Sequence, residues 1–191
     1  IGEVNKKGEL GCPYSISDYR AVNPEYGTME DFKELVSAIH EKGMKCMIDV
    51  VYNHTSHESV LSKEHPEFFY KKPDGRFGNK VGDWTDVIDL DYTNKDLWDY
   101  QLETLKMWAK IVDGFRCDVA SLVPIEFWNR ARKEVAEVNP DCLWLAESVE
   151  YGLIKYARDT GFNCLSDSEL YQAFDILYDY DVYPKYLAYV D

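Results

Sequence analysis

The stretch "VDGFRCDVA", Val112 to Ala120, is a run of small and apolar residues broken by two opposite charges, Arg116 and Asp118. Residues two apart on a strand project from the same face, so both charges emerge together where the apolar run ends. Alone, an Arg-x-Asp pair reads as a local ion pair. Its context says more: two other apolar runs end the same way, "IDVVYNH" on Asn53 and His54, and "LWLAES" on Glu147 and Ser148.

Between these runs the spacing predicts helices. "TMEDFKELVSAIHEKG" sets Phe32, Leu35, Val36 and Ile39 on one face, with Thr28 and Asp31 as a capping-box-like start and Gly43 as the stop. "TNKDLWDYQLETLKMWAK" does the same with Trp98, Leu102, Leu105 and Trp108, and "PIEFWNRARKEVAEVNP" starts on Pro124 and turns Trp128, Ala131, Val135 and Val138 inward. These tryptophans lie on core faces and are packing residues first. A weaker helix near Tyr151 to Thr160 leads to a strand in "GFNCLSD", and "YQAFDILYDYDVYPKYLAYV" reads as a helical tail. Alternation of this kind predicts a parallel sheet with crossover connections. An open doubly wound sheet and an arc of an eight-stranded barrel both fit it, and the absence of GxGxxG and GxxxxGK[ST] turns favours the barrel. There the polar strand ends would share one mouth.

The composition narrows the function. A net charge of -14 over 191 residues argues against nucleic acid and anionic membrane as partners, because phosphate surfaces are gripped by Lys and Arg. No apolar run approaches the roughly 18 residues of a membrane span. The five cysteines are odd in number and lack CxxC spacing, so they read as small buried hydrophobes. The chain opens on Ile1 and not Met, as an excised piece of a longer protein would.

Asp118 and Glu147 lie 29 residues apart, about one strand-helix-strand unit, which places them on adjacent strand ends. Two carboxyl groups facing each other across a cleft are the equipment for cleaving a glycosidic bond. Arg116 is expected to keep Asp118 ionised, and apolar Trp144 and Leu145 to hold Glu147 protonated, which makes Asp118 the nucleophile and Glu147 the acid/base.

In their order and spacing, "DVVYNH" (Asp49 to His54), "GFRCDVA" (Gly114 to Ala120) and "LAES" (Leu145 to Ser148) resemble the first three signature regions of the alpha-amylase family, glycoside hydrolase family 13. "PYSISDYRAVNPEYGTMEDFKELVSAIHEKGMKCMIDVVYNH", Pro13 to His54, resembles the family's passage into the third strand, and "VIDLDY" the motif closing its inserted small domain. The resemblance implies a partial (β/α)8 TIM barrel, strands three to six with their helices. Residues 55–87 would be a short inserted loop domain, and the first two and last two strands would lie outside the chain.

The activity so implied is retaining hydrolysis of alpha-1,4-glucans, with Asp118 as nucleophile, Glu147 as general acid/base and Arg116 orienting the nucleophile. His54 is similar to the histidine that contacts the sugar at the cleaved bond, and Tyr14 to the tyrosine that stacks beneath it. The carboxyl groups are expected about 5 to 5.5 Å apart. No cofactor is required for the chemistry. Calcium is an expectation at Asn53 and Asp89, which match ligand positions of many members, although residues 55–86 show no clear oxygen cluster for a cation that takes about six to eight oxygens.

Two departures qualify the picture. The "HD" pair that carries the family's third catalytic carboxylate is absent, and Ser121-Leu122 stand where many starch-cleaving members have Lys-His. The isolated chain is therefore expected to be inactive, and its two open strand edges to favour self-association. The alternatives are a transglycosylase, an alpha-1,6-glucosidase, or a non-catalytic carbohydrate-binding or structural member.

Overall fold

The computed structural model describes residues 11–180 and 182–190. Helix α1 (Met29–Glu41) starts on a true capping box, in which Thr28 Oγ1 accepts from the Asp31 N–H and Asp31 Oδ2 accepts from the Thr28 N–H. Strand β1 (Met47–Val50) follows. The chain then forms β2 (His54–Ser56), the short helix α2 (Val60–Glu64) and a 3-10 turn at Pro66–Phe68, and returns as β3 (Val87–Asp89). Strands β2 and β3 pair antiparallel in a small sheet of their own. Helix α3 (Lys95–Ala109), β4 (Gly114–Cys117), α4 (Ile125–Val135) and β5 (Leu143–Ala146) complete two crossover units. Helices α5 (Tyr151–Asp159) and α6 (Asp167–Leu170), strand β6 (Ile176–Leu177) and helix α7 (Val182–Val190) close the chain.

The main sheet has four strands in the order β1-β4-β5-β6, all parallel. Each strand lies beside the next one that the crossovers deliver, without the reversal of order that defines a doubly wound sheet. This is an arc of a parallel α/β barrel. Gly114 shows how tightly it closes: a Cβ there would stand 2.7 Å from the Leu143 carbonyl oxygen of the neighbouring strand. Between sheet and helices lies an aromatic core, with Phe115 against Trp144 at 5.3 Å and Trp128 against Phe174 at 5.3 Å between ring centroids. All five cysteines are free, and Cys117, Cys142 and Cys164 are buried. Among the described residues, no helix is long and apolar enough to cross a membrane.

Three sequence expectations need correction. The fourth strand is Ile176–Leu177, inside the run read as a helical tail, and "GFNCLSD" is irregular up to Ser166, which caps α6. What fixes β6 is a polar brace: the Asp175 carboxylate accepts from the Trp144 N–H at 3.0 Å and from Arg132 of α4 at 2.5 Å. Cys164 and Leu165 are buried all the same, with the Leu165 N–H donating to the Ser121 carbonyl. Leu35 and Val138 are also not core residues, at 56% and 39% exposure, because Phe32 and Val36 make the inward contacts of α1 and Val138 lies beyond the end of α4.

Candidate active site

At the carboxyl ends of β1, β4 and β5 the chain gathers charge. Arg116 projects from β4, in register between Asp49 of β1 and Leu145 of β5. Its Nη1 donates to both oxygens of Asp49, at 2.9 and 2.8 Å, and to Asp118 Oδ1 at 2.8 Å, while Nη2 meets Glu147 Oε2 at 2.8 Å. One guanidinium therefore clasps three carboxylates. The backbone holds the last two in place: the Asp118 N–H donates to the Val50 carbonyl and the Glu147 N–H to the Cys117 carbonyl, continuing the parallel ladders past the strands.

The next residue carries strain. Val119 stands at φ 36° and ψ 47°, a left-handed conformation that a β-branched residue adopts only when its surroundings compel it. There its N–H donates to Glu147 Oε2 at 2.9 Å, and the Ala120 N–H donates to the Glu147 carbonyl at 3.0 Å. Main chain from the turn after β4 thus grips both ends of Glu147.

The electrostatics depart from expectation. Burial pushes the Asp118 carboxyl up to about 7, the negative charge of Glu147 adds to this, and Arg116 opposes it without prevailing. Arg116 touches both carboxylates, and Asp118 has the drier side chain, 9% exposed against 21% for Glu147. His54 is also buried, which lowers it to about 4 and leaves the ring neutral at pH 7. Its Nε2 lies 4.0 Å from Asp118 Oδ2, so that contact is dipolar and not an ion pair. Asn53 Nδ2 lies 3.0 Å from His54 Nδ1 and donates to it, which leaves the ring proton on Nε2.

These groups line a cavity of about 320 Å³, which holds Tyr14, His54, Arg116, Asp118 and Glu147 together. That volume falls in the range of small-molecule sites. The Tyr14 ring lies 5.7 Å from the Arg116 guanidinium carbon. The sequence reading missed two further lining residues, Trp84, which meets the His54 ring edge to face at 5.4 Å, and Asp86. It also missed Tyr178, just past β6, whose hydroxyl accepts from Arg116 Nε. Trp84 and Asp86 arrive by a loop path that no periodicity encodes, and Tyr178 was hidden by the misplaced strand.

Asn53 and Asp89, the positions anticipated for calcium, are partly engaged within the protein. Asn53 spends its amide nitrogen on His54, and Asp89 Oδ2 accepts from the Lys80 N–H at 2.7 Å while Oδ1 is buried without a partner. Among the described residues no three His, Cys, Asp or Glu side chains come together as a metal cluster. Burial raises Asp89 to about 6, and the charge it keeps is offset by Lys80.

A parallel barrel arc with its polar residues converging on the carboxyl ends of successive strands defines a barrel protein of the α/β class. Comparison with known proteins makes this specific. Residues 5–84 match the family described as "Alpha amylase, catalytic domain". An alpha-amylase structure from Lactobacillus plantarum superposes with a TM-score of 0.95 at 60% identity, covering 99% of this chain and 45% of that one. Alpha-amylase 3 of Dictyoglomus thermophilum is 30% identical over 176 residues, covering 76% of this chain and 35% of its own length. An alpha-1,4-glucan:maltose-1-phosphate maltosyltransferase of Rhodospirillum rubrum is 31% identical over 169 residues, covering 78% of this chain and 24% of its own length. The chain belongs to the alpha-amylase family. It spans between 24% and 45% of the length of these relatives.

Proposed function

We propose that these residues form the core of a retaining glycosidase site for alpha-1,4-glucans. The observation that carries this reading is the guanidinium of Arg116, which holds Asp118 and Glu147 on adjacent nitrogens at 2.8 Å each. A shared clamp favours the close carboxyl pair that double displacement uses over the wider pair that leaves room for a water. Asp118 attacks the anomeric carbon while Glu147 gives its proton to the departing glycosidic oxygen. Glu147, now a carboxylate, then takes a proton from water, and the hydroxide so formed displaces Asp118 from the sugar. The cationic character of the sugar ring in both transition states favours the ionised form of Asp118, which burial opposes. His54 supplies a neutral polar edge to the sugar, and Tyr14 and Trp84 supply flat apolar surface for its ring.

The maltosyltransferase among the relatives favours a second reading, in which a sugar hydroxyl and not water receives the glycosyl group. Incubating the full-length protein with maltotriose separates the two. Shorter products released with retained anomeric configuration support hydrolysis, and products longer than maltotriose support transfer. Binding without turnover would leave a carbohydrate-binding role and overturn both. The isolated 191 residues, with roughly half of a barrel mouth, are expected to hydrolyse starch poorly or not at all.

A further inference from the structure

We infer that Tyr178 is a positioning residue for Arg116, an inference that deepens the glycosidase reading and rests on it. A guanidinium has five N–H donors in a rigid fork. Here the Nη groups are taken by Asp49, Asp118 and Glu147, and the Nε edge donates to the Tyr178 hydroxyl at 3.2 Å. Held by its Nη end alone, the plane could pivot about the bond that joins it to the side-chain stem. A partner on Nε fixes the opposite edge, and with it the direction in which Nη1 and Nη2 present themselves to the two carboxylates.

The tyrosine is itself well anchored. Its N–H donates to the Ala146 carbonyl at 3.3 Å, and its own carbonyl accepts from Ser148 Oγ at 3.3 Å, so its main chain is tied to the residues on either side of Glu147. Its ring centroid lies 5.5 Å from the Arg116 guanidinium carbon. Tyr178, just past β6, therefore reaches the end of β4 through its side chain and the end of β5 through its main chain. A hydroxyl also accepts the Nε hydrogen without adding a fourth negative charge to a shell that already holds three carboxylates. Packing alone would be served equally by phenylalanine, and the distinction is testable.

In the full-length protein, Tyr178→Phe keeps the ring and removes the acceptor, and it is expected to lower kcat about tenfold with KM within about twofold, the pattern of a group that acts only in the transition state. Tyr178→His, which offers a ring nitrogen as acceptor, is expected to recover most of that loss. Tyr178→Leu, which removes ring and acceptor together, should fall furthest, about a hundredfold. All values are taken per folded molecule, with melting temperatures recorded beside them. A Tyr178→Phe protein whose kcat stays within about twofold of the natural chain overturns the inference, and so does a series in which only melting temperature changes. Asp118→Asn serves as the control: if that protein stays active, the glycosidase reading itself fails, whereas an inactive Asp118→Asn beside a fully active Tyr178→Phe defeats only the role given to Tyr178.

Discussion

The two ends of β4 carry one aspartate each and treat them oppositely. At the amino end, Asp113 accepts from the Cys46 N–H at 2.8 Å, from His40 at 2.7 Å and from Lys45 at 3.2 Å. Burial works against its charge, but these bonds prevail and hold it down to about 2. At the carboxyl end, Asp118 is pushed up to about 7 even with an arginine at 2.8 Å. The difference lies in what surrounds each carboxylate: Asp113 has His40, Lys45 and a main-chain N–H converging on it, whereas Asp118 shares one arginine with two competing carboxylates. One end of the strand uses its carboxylate to hold the fold together. The other keeps a carboxylate at a cost in stability, which is how a barrel divides labour between its two faces.

The sharpest way to break this comparison is to neutralise each aspartate in turn in the full-length protein. Asp118→Asn is expected to reduce turnover about 10⁴-fold or more. It should also raise stability at pH 7, by on the order of 1–3 kcal/mol, since it removes a charge that burial penalises. Asp113→Asn should do the reverse, leaving kcat per folded molecule unchanged and costing about 2 kcal/mol in denaturant unfolding. An Asp113→Asn protein of normal stability, or an Asp118→Asn protein of normal activity, would remove the distinction.

Acidity separates the two ends without mutation. Asp113 has a folded-state pKa below its unfolded value, so its contribution is present above about pH 4 and is lost as pH falls through about 2. Asp118 is raised, so its contribution is present below about pH 4 and is lost as pH climbs through about 7. Stability measured against pH should therefore slope in opposite directions on the two sides of about pH 4, and each Asn variant should flatten one limb. Attack by Asp118 needs the carboxylate, so kcat/KM should fall on the acid side with a midpoint near 7. An acid limb that stays level down to about pH 4 would instead show that Arg116 prevails over burial at Asp118.

The smallest effect belongs to the end of β3, where the chain leaves the insert. Asp89, raised to about 6 by burial, should make Asp89→Asn slightly more stable than the natural chain at pH 8, by about 1 kcal/mol, with no difference at pH 4. A chelator should leave the melting temperature unmoved. A fall of several degrees on chelation would show a cation held through donors other than these side chains.

Much of this site was legible because its residues sit at a fixed phase of a repeating unit. An apolar run that stops on a charge marks a strand end, and helix-length spacing between such runs marks neighbouring strands, so Arg116, Asp118, Glu147 and His54 could be placed together from the sequence. The same logic failed at β6. That strand is two residues long and lies in an aromatic run whose spacing also suits a helix, and what selects the strand is a brace from Arg132 and Asp175, residues 43 apart in the chain. Trp84 and Asp86 belong to a loop whose path follows tertiary contacts. The upward shift of Asp118 was hidden for a related reason: sequence shows that an arginine is near, but not how many carboxylates divide it.

Val119 has a further consequence. Because its strained peptide reaches back to Glu147, the position of that carboxyl relative to Asp118 depends on main chain as well as on the Arg116 clamp. Ser121 and Leu122, which follow Ala120 in the same turn, are buried, so the main chain that reaches Glu147 is itself packed in place.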